Sequence, residues 1–308
     1  MLHIRRILFP TDRSACAERA YVHAAFLARA LGAELHVLAI RGSDTPEPAG
    51  TSLLPLSWND VADELGLPTE GRGDGPETVR QAEITGDSPA GGILHYAATE
   101  GIDLIVMGTH GRQAAERLLA GSVAERVVRE APCAVLTVRQ SGDGHIRRVL
   151  VPIDFSERSQ AAIQVANALA ALYGAAVELL FIIDEDTVPM AHVPLLGPVR
   201  VSPEEIQSRF RKLMADRVAR HRAEGVALSG TVRVGHPARD IGEYAADHAD
   251  LIVMSTHGRT GLQRLFLGSV AEKVIRRAPC PVFTVKSFAA PLADAAEASA
   301  AEPGAQAA

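Results

Sequence analysis

The chain has 308 residues, 47% of them hydrophobic and 22% charged, with a formal net charge of −6. That length suggests two domains, each large enough to bury a core without disulfide or metal staples. The charge, with no strong basic block, argues against nucleic acid as the main partner, and three cysteines without CxxC or metal spacing read as reduced core thiols of a cytoplasmic protein.

Met1-Leu2-His3-Ile4-Arg5-Arg6 runs straight into a strand ending at Pro10-Thr11-Asp12, with no small-residue cleavage site, so no signal peptide is expected. Residues 41–78 are rich in Gly and Pro, and only Ser57–Leu65 has a helical pattern, so the second helix here is expected to be short or irregular. Asp103 opens a β-branched run through Met107, Val123–Glu130 follows as a helix, and Ala131-Pro132-Cys133 leads into an apolar strand, Val135–Val138. Gln140-Ser141-Gly142-Asp143-Gly144 reads as a flexible linker.

The second half gives a clearer reading. Strands are expected at Arg147–Pro152, Val177–Ile183, Leu228–Val234, Leu251–Ser255 and Val282–Lys286. Ser156 caps a helix that Gly174 ends after Tyr173. Ser202 and Pro203 start a helix to about Glu224, and Pro237–His248 and Ser269–Arg277 are helical. The longest apolar stretch, Ala161–Ile183, contains Gln164, Asn167, Gly174 and Glu178, which makes it a helix and a strand rather than a membrane span. From Ala289 the chain is Ala-rich with little to bury, and 289–308 is expected to be a disordered tail.

The halves repeat one another. Residues 103–139 and 250–286 share 24 of 37 positions at an offset of 147, and His3–Asp12 matches His145–Asp154 at an offset of 142. The unit is therefore one α/β domain in duplicate, with strands alternating with helices as in a parallel sheet.

The fourth strand of each unit opens into a Gly-rich loop, Gly108-x2-Gly111-x9-Gly121-Ser122 and Ser255-x2-Gly258-x9-Gly268-Ser269. Backbone N–H groups approach a phosphate most closely where no Cβ intervenes. The closing Gly-Ser pair starts a helix, which adds free N–H groups and the positive end of its dipole. Arg112 and Arg259 stand where they could neutralise phosphate charge. The loop is neither a Walker loop nor GxGxxG, and a tight strand-to-helix connection without ligand is its other reading. Asp12 and Asp154 end the first strands, where open parallel sheets bind ligands; each could accept hydrogen bonds from a base or ribose, cap the next helix, or do both. His110 and His257 have no second ligand spaced to join them and read as loop-structuring or solvent-facing.

Together, the Gly-x2-Gly-x9-Gly-Ser pattern, the Pro-x-Asp ending strand one and the Ala-Pro-Cys before strand five resemble the universal stress protein family in its tandem form, over about residues 3–286. The resemblance implies two tandem open five-stranded parallel sheets of order 3-2-1-4-5 with helices on both faces, in nucleotide-binding units 1–140 and 145–288. It implies ATP at the strand 1/strand 4 switch point of each unit, in a cytoplasmic stress-response or regulatory protein without a well-defined reaction. Slow ATPase or autokinase activity, and an interaction scaffold with structural nucleotide, are the alternatives.

By position, Asp12 and Asp154 resemble the aspartates that contact adenosine, with Pro10, Thr11, Pro152 and Ile153 beside them in the site. Ile40 and Ile182 resemble the adenine contacts. Met107, Gly108, Gly111, Arg112, Gly121, Ser122 and Val123 resemble the ribose and phosphate contacts of one site, and Met254, Ser255, Gly258, Arg259, Gly268, Ser269 and Val270 those of the other. Ser255 departs from the family's glycine, and its side chain would either crowd the ribose or hydrogen-bond to it. A divalent ion, Mg2+ or Mn2+, if it accompanies ATP, would be held mainly by phosphates and water. No membrane or nucleic-acid partner is expected. A protein partner is left unnamed, and the fifth strands are expected to meet in an intramolecular pseudo-dimer, with a further homodimer open.

Overall fold

The computed structural model describes residues 2–41, 57, 59, 76–86, 88–109, 121–139, 145–185, 191–193, 197–199, 203–256, 267–286 and 292–293. The first unit contributes β1 (Arg6–Thr11), β2 (Glu34–Arg41), β3 (Val79–Thr85), β4 (Leu104–Gly108) and β5 (Ala134–Val138). The second contributes β6 (Arg148–Pro152), β7 (Ala176–Asp184), a short pair β8 (Ala191–Val193) and β9 (Gly197–Val199), then β10 (Leu228–Gly235), β11 (Leu251–Ser255) and β12 (Val282–Val285). The β8–β9 pair adds to the five strands expected in this half, inside a connection whose prolines and glycine give no alternating pattern.

Each half has the order 3-2-1-4-5, with parallel neighbours throughout. β5 and β12 then pair antiparallel and join both halves into one ten-stranded sheet. Leu136 lies opposite Phe283, its own repeat equivalent at the offset of 147, so the pseudo-two-fold axis passes through this pair. Thr137 Oγ1 donates to Val282 O at 3.3 Å, and the equivalent Thr284 Oγ1 donates to Val135 O at 3.0 Å.

Seven helices are described: α1 (Ala15–Leu31), α2 (Pro89–Thr99), α3 (Ser122–Glu130), α4 (Glu157–Tyr173), α5 (Pro203–Arg220), α6 (Pro237–His248) and α7 (Ser269–Arg277). α5 stops four residues short of the expected Glu224, and the expected Ser57–Leu65 helix lies almost wholly outside the described residues. The helix ends follow local chemistry. The Ser14 and Ser156 hydroxyls accept from Ala17 N and Ser159 N, and Gly32 and Gly174 close α1 and α4 at φ 62° and 68°.

Both sheet faces are covered, which explains the unbroken apolar runs. Ile7, Phe9, Leu104 and Val106 share one core with residues of α1, α4 and α5, while Leu8, Ile105 and Met107 share the other with residues of α2, α3, α6 and α7. No described helix is long and apolar enough to cross a membrane. The expectation of a structureless tail from 289 needs one correction. Leu292 and Ala293 are buried, Ala293 bridges Leu2, and His3 N donates to Leu292 O at 2.6 Å. A single leucine among alanines gives this segment something to bury.

Candidate functional site

The site begins where the ladder fails. β1 pairs with β2 up to Thr11↔Ala39, and β4 with β5 up to Gly108↔Val138, but β1 and β4 pair only at Ile7↔Leu104 and Leu8↔Ile105. β6 and β11 likewise pair only at Val149↔Leu251 and Leu150↔Ile252. In each unit the two central strands thus part at their carboxyl ends, where the strand order reverses and a crevice forms. Pro152 fits this. The next N–H, of Ile153, donates to Leu180 O of β7 at 2.9 Å, so the alternating position of Pro152, which has no N–H, faces the gap.

One wall of the crevice is a strained turn. Asp12 Oδ1 accepts Ser14 N at 3.0 Å; Asp154 Oδ1 accepts Ser156 N at 3.0 Å and Ser156 Oγ at 2.6 Å. The residue between is left-handed in both units, Arg13 at φ 58° and Phe155 at φ 60°, and no other described non-glycine residue has positive φ. The serines cap the helices, so the aspartates hold the preceding turn and are not themselves the caps. Arg13 N donates to Thr11 Oγ1 at 3.0 Å; the equivalent position, Ile153, has no hydroxyl.

The other wall is the start of α3 or α7. Gly121 and Gly268 occupy the N-cap positions with no side-chain cap bond, unlike Ser14, Ser88 and Ser156, whose hydroxyls each accept a helix N–H. Among the described residues no side chain caps these starts, and the positive end of each helix dipole lies at Ser122 and Val123, or at Ser269 and Val270. The backbone closes each loop at its base. Gly121 N donates to Thr109 O at 2.7 Å, and Thr109 N to Val138 O at 2.9 Å. Gly268 N and Thr256 N repeat this to Thr256 O at 2.9 Å and Val285 O at 3.1 Å. Gly111, Arg112, Gly258, Arg259, His110 and His257 lie outside the described residues.

Met107 and Met254 are buried at the ends of β4 and β11, on the α2/α3 and α6/α7 face. Ile40 and Ile182 end β2 and β7 on that same face; a Cβ on Gly92 of α2 would stand 2.9 Å from Ile40 Cδ1. Gly108 has a nearer reason to be glycine than a ligand. A Cβ there would meet the Cys16 carbonyl carbon at 2.9 Å and its oxygen and Sγ at 3.0 Å, so this position faces the first turn of α1. Arg158 replaces Cys16 in the second unit, and Ser255 replaces Gly108.

Sequence reasoning missed Arg217. From α5 it reaches back over the Asp154 turn: Nη2 donates to Phe155 O at 3.4 Å, and the guanidinium sits 5.8 Å from the Phe155 ring centroid. Phe181 and Phe210 complete the aromatic cluster beneath it. Burial and then the neighbouring Arg220 lower its pKa, while Asp154 works in the opposite direction. No local pattern joins residues 62 positions apart. Cys133 and Cys280 are inert core thiols, pushed up to about 12 by burial. Among the described residues no group of three His, Cys, Asp or Glu stands together to hold a metal.

The model of the Universal stress protein family matches residues 3–139 and again 145–286. A universal stress protein of Mycobacterium bovis is 31% identical over 232 residues, 73% of this chain and 75% of its own. One from Methanocaldococcus jannaschii is 32% identical over 151 residues, 49% of this chain and 88% of its own. A functionally unknown protein from Pseudomonas aeruginosa shares the fold over 92% of this chain and 93% of its own, with a TM-score of 0.66 and 21% identity.

Proposed function

The chain belongs to the universal stress protein family as a tandem pair of units, and from that premise we propose that each unit binds one ATP at the switch point between its first and fourth strands. The observation that carries this reading is the parting of those strands in both units, between a strained aspartate turn and an uncapped helix start. The aspartates Asp12 and Asp154 accept from the adenosine, with Ile40 and Ile182 beside the base. The amides of Ser122 and Val123, and of Ser269 and Val270, with their serine hydroxyls, receive phosphate oxygens. Gly111, Arg112, Gly258 and Arg259 extend the phosphate contacts in this reading, and any Mg2+ or Mn2+ rides on the phosphates. The protein acts as an ATP-responsive regulator in the cytoplasm, its output the bound or empty state rather than a product.

The second unit is the tighter site in this reading. Arg217 and the Phe155–Phe181–Phe210 cluster support its aspartate turn. The place of Gly108 against Cys16 supports a Ser255 side chain that faces α4 rather than the ribose.

Mass spectrometry of nucleotide released from freshly purified protein tests the ligand, with ATP as the expected species. Release of no nucleotide, together with no uptake of added ATP, would overturn the reading. A turnover assay on the same preparation separates regulator from slow ATPase or autokinase: ATP that stays intact over hours favours the regulator, and steady release of ADP favours the alternative.

A further inference from the structure

The residue that follows each fifth strand crosses the pseudo-two-fold. Arg139 Nη2 donates to Arg276 O, in the last turn of α7, at 2.6 Å. Its repeat equivalent Lys286 donates through Nζ to Val128 O and, at 3.2 Å, to Arg129 O in the last turn of α3. Arg129 and Arg276 are themselves equivalents at the offset of 147, so one contact is made twice in mirror roles. α3 and α7 are the helices whose uncapped starts face the two crevices.

The same residues are tied to the site of their own unit. Val138, one residue before Arg139, accepts Thr109 N at the base of the first loop; Val285, one before Lys286, accepts Thr256 N at the base of the second. Each cation therefore stands between the loop of one unit and the helix of the other. The last carbonyls of a helix have no intrahelical partners. A cation there satisfies them and steadies the helix whose other end faces the crevice. Lys286 is 4% exposed, and an isolated charge at that depth is costly unless it is partnered. Burial pulls its ammonium down to about 8, with Cys133 working in the opposite direction, and the carbonyls of α3 supply its partners.

We propose that Lys286 and Arg139 are positioning residues that act in trans, Lys286 holding the phosphate-facing helix of the first unit's nucleotide site and Arg139 that of the second. The proposal rests on the ATP reading above.

The test uses the full chain with one site closed at a time. Gly268→Val leaves only the first site and Gly121→Val only the second. By the size of helix-end charge effects, Lys286→Met is expected to weaken ATP at the first site about two- to fivefold more than at the second, and Arg139→Met the reverse. Lys286→Arg, which keeps the cation, restores the first site. Lys273→Met, the same charge change on the exposed face of α7, moves neither. Lys286→Gln carries the same expectation should Lys286→Met not fold.

Amide hydrogen exchange gives a readout without nucleotide: Lys286→Met speeds exchange in 122–130 more than in 269–277. Loss confined to the variant's own unit, equal loss in both, or no loss overturns the proposal while the ATP reading stands. A parent chain that binds no ATP sinks that reading and the proposal with it, and crossed exchange effects then leave only a structural tie.

Discussion

At the scale of single residues, Arg13 and Phe155 hold a left-handed backbone that L-residues adopt at a cost of roughly 1–2 kcal/mol. The same strain recurs at the same place in both units, beside the aspartate turn, which makes it part of the site's geometry and not a local accident. Arg13→Gly should relax it. After about 0.5–1 kcal/mol for the greater freedom of an unfolded glycine, a net gain of about 0.5 kcal/mol is expected in urea unfolding; a clear loss would show that the Arg13 side chain contributes more than its backbone costs. Asp103 and Asp250 show what sequence conceals at this scale. Both open the repeated windows, and Oδ2 of each accepts two successive backbone N–H groups, of Arg5 and Arg6 or of Arg147 and Arg148. The residues were visible as repeats, but their partnership was not, because about a hundred positions separate them.

At the scale of elements, legibility followed locality. Ser156, Gly174 and Pro237 mark helix ends by chemistry that acts within a turn, and those ends stand where the sequence places them. β8 and β9 carry no such pattern, and Arg217 meets Phe155, beside Asp154, only through the packing of α5. Glycine was the least decisive letter. The spacing singled out Gly108 for a ligand, while the nearest atoms explain it by the approach of α1. Gly108→Ala is therefore expected to lower stability by about 1–3 kcal/mol through overpacking, and Ser255→Gly, which removes a Cβ and overpacks nothing, by no more than about 1 kcal/mol. Thermal unfolding of the two variants checks this; equal effects would contradict it.

At the scale of the whole molecule, the two units share one sheet and both cores, so they should unfold together. The sequence marked the fifth strands as apolar edges in need of cover, and β5 and β12 cover one another. A second contact crosses between α1 and α4. His23 Nδ1 lies 3.3 Å from Tyr173 Oη, and Phe26 packs on the Tyr173 ring at 4.6 Å. Burial, helped by Arg19, pulls the His23 pKa down to about 4. The folded state thus binds this proton less readily than the unfolded chain, whose histidine titrates near 6.5. Stability from this residue is complete above about 6.5 and falls as pH drops toward 4, by on the order of 3 kcal/mol. Urea midpoints measured across that window should fall steeply in the parent and flatten in His23→Gln; an unchanged slope would remove His23 as the cause.

In the proposed reading each chain holds two ATP, one at each parted pair of central strands. Gly121 and Gly268 have extended N-cap backbones (φ −67°, ψ 153° and φ −60°, ψ 140°) that any residue adopts, so valine there brings no backbone strain and is expected to fill the crevice. Calorimetric titration of ATP into the parent, both single variants and the double variant measures this directly. Two sites are expected in the parent, one in each single variant and none in the double, with tighter binding where only the second unit remains, in Gly121→Val. Full stoichiometry in the double variant would contradict it.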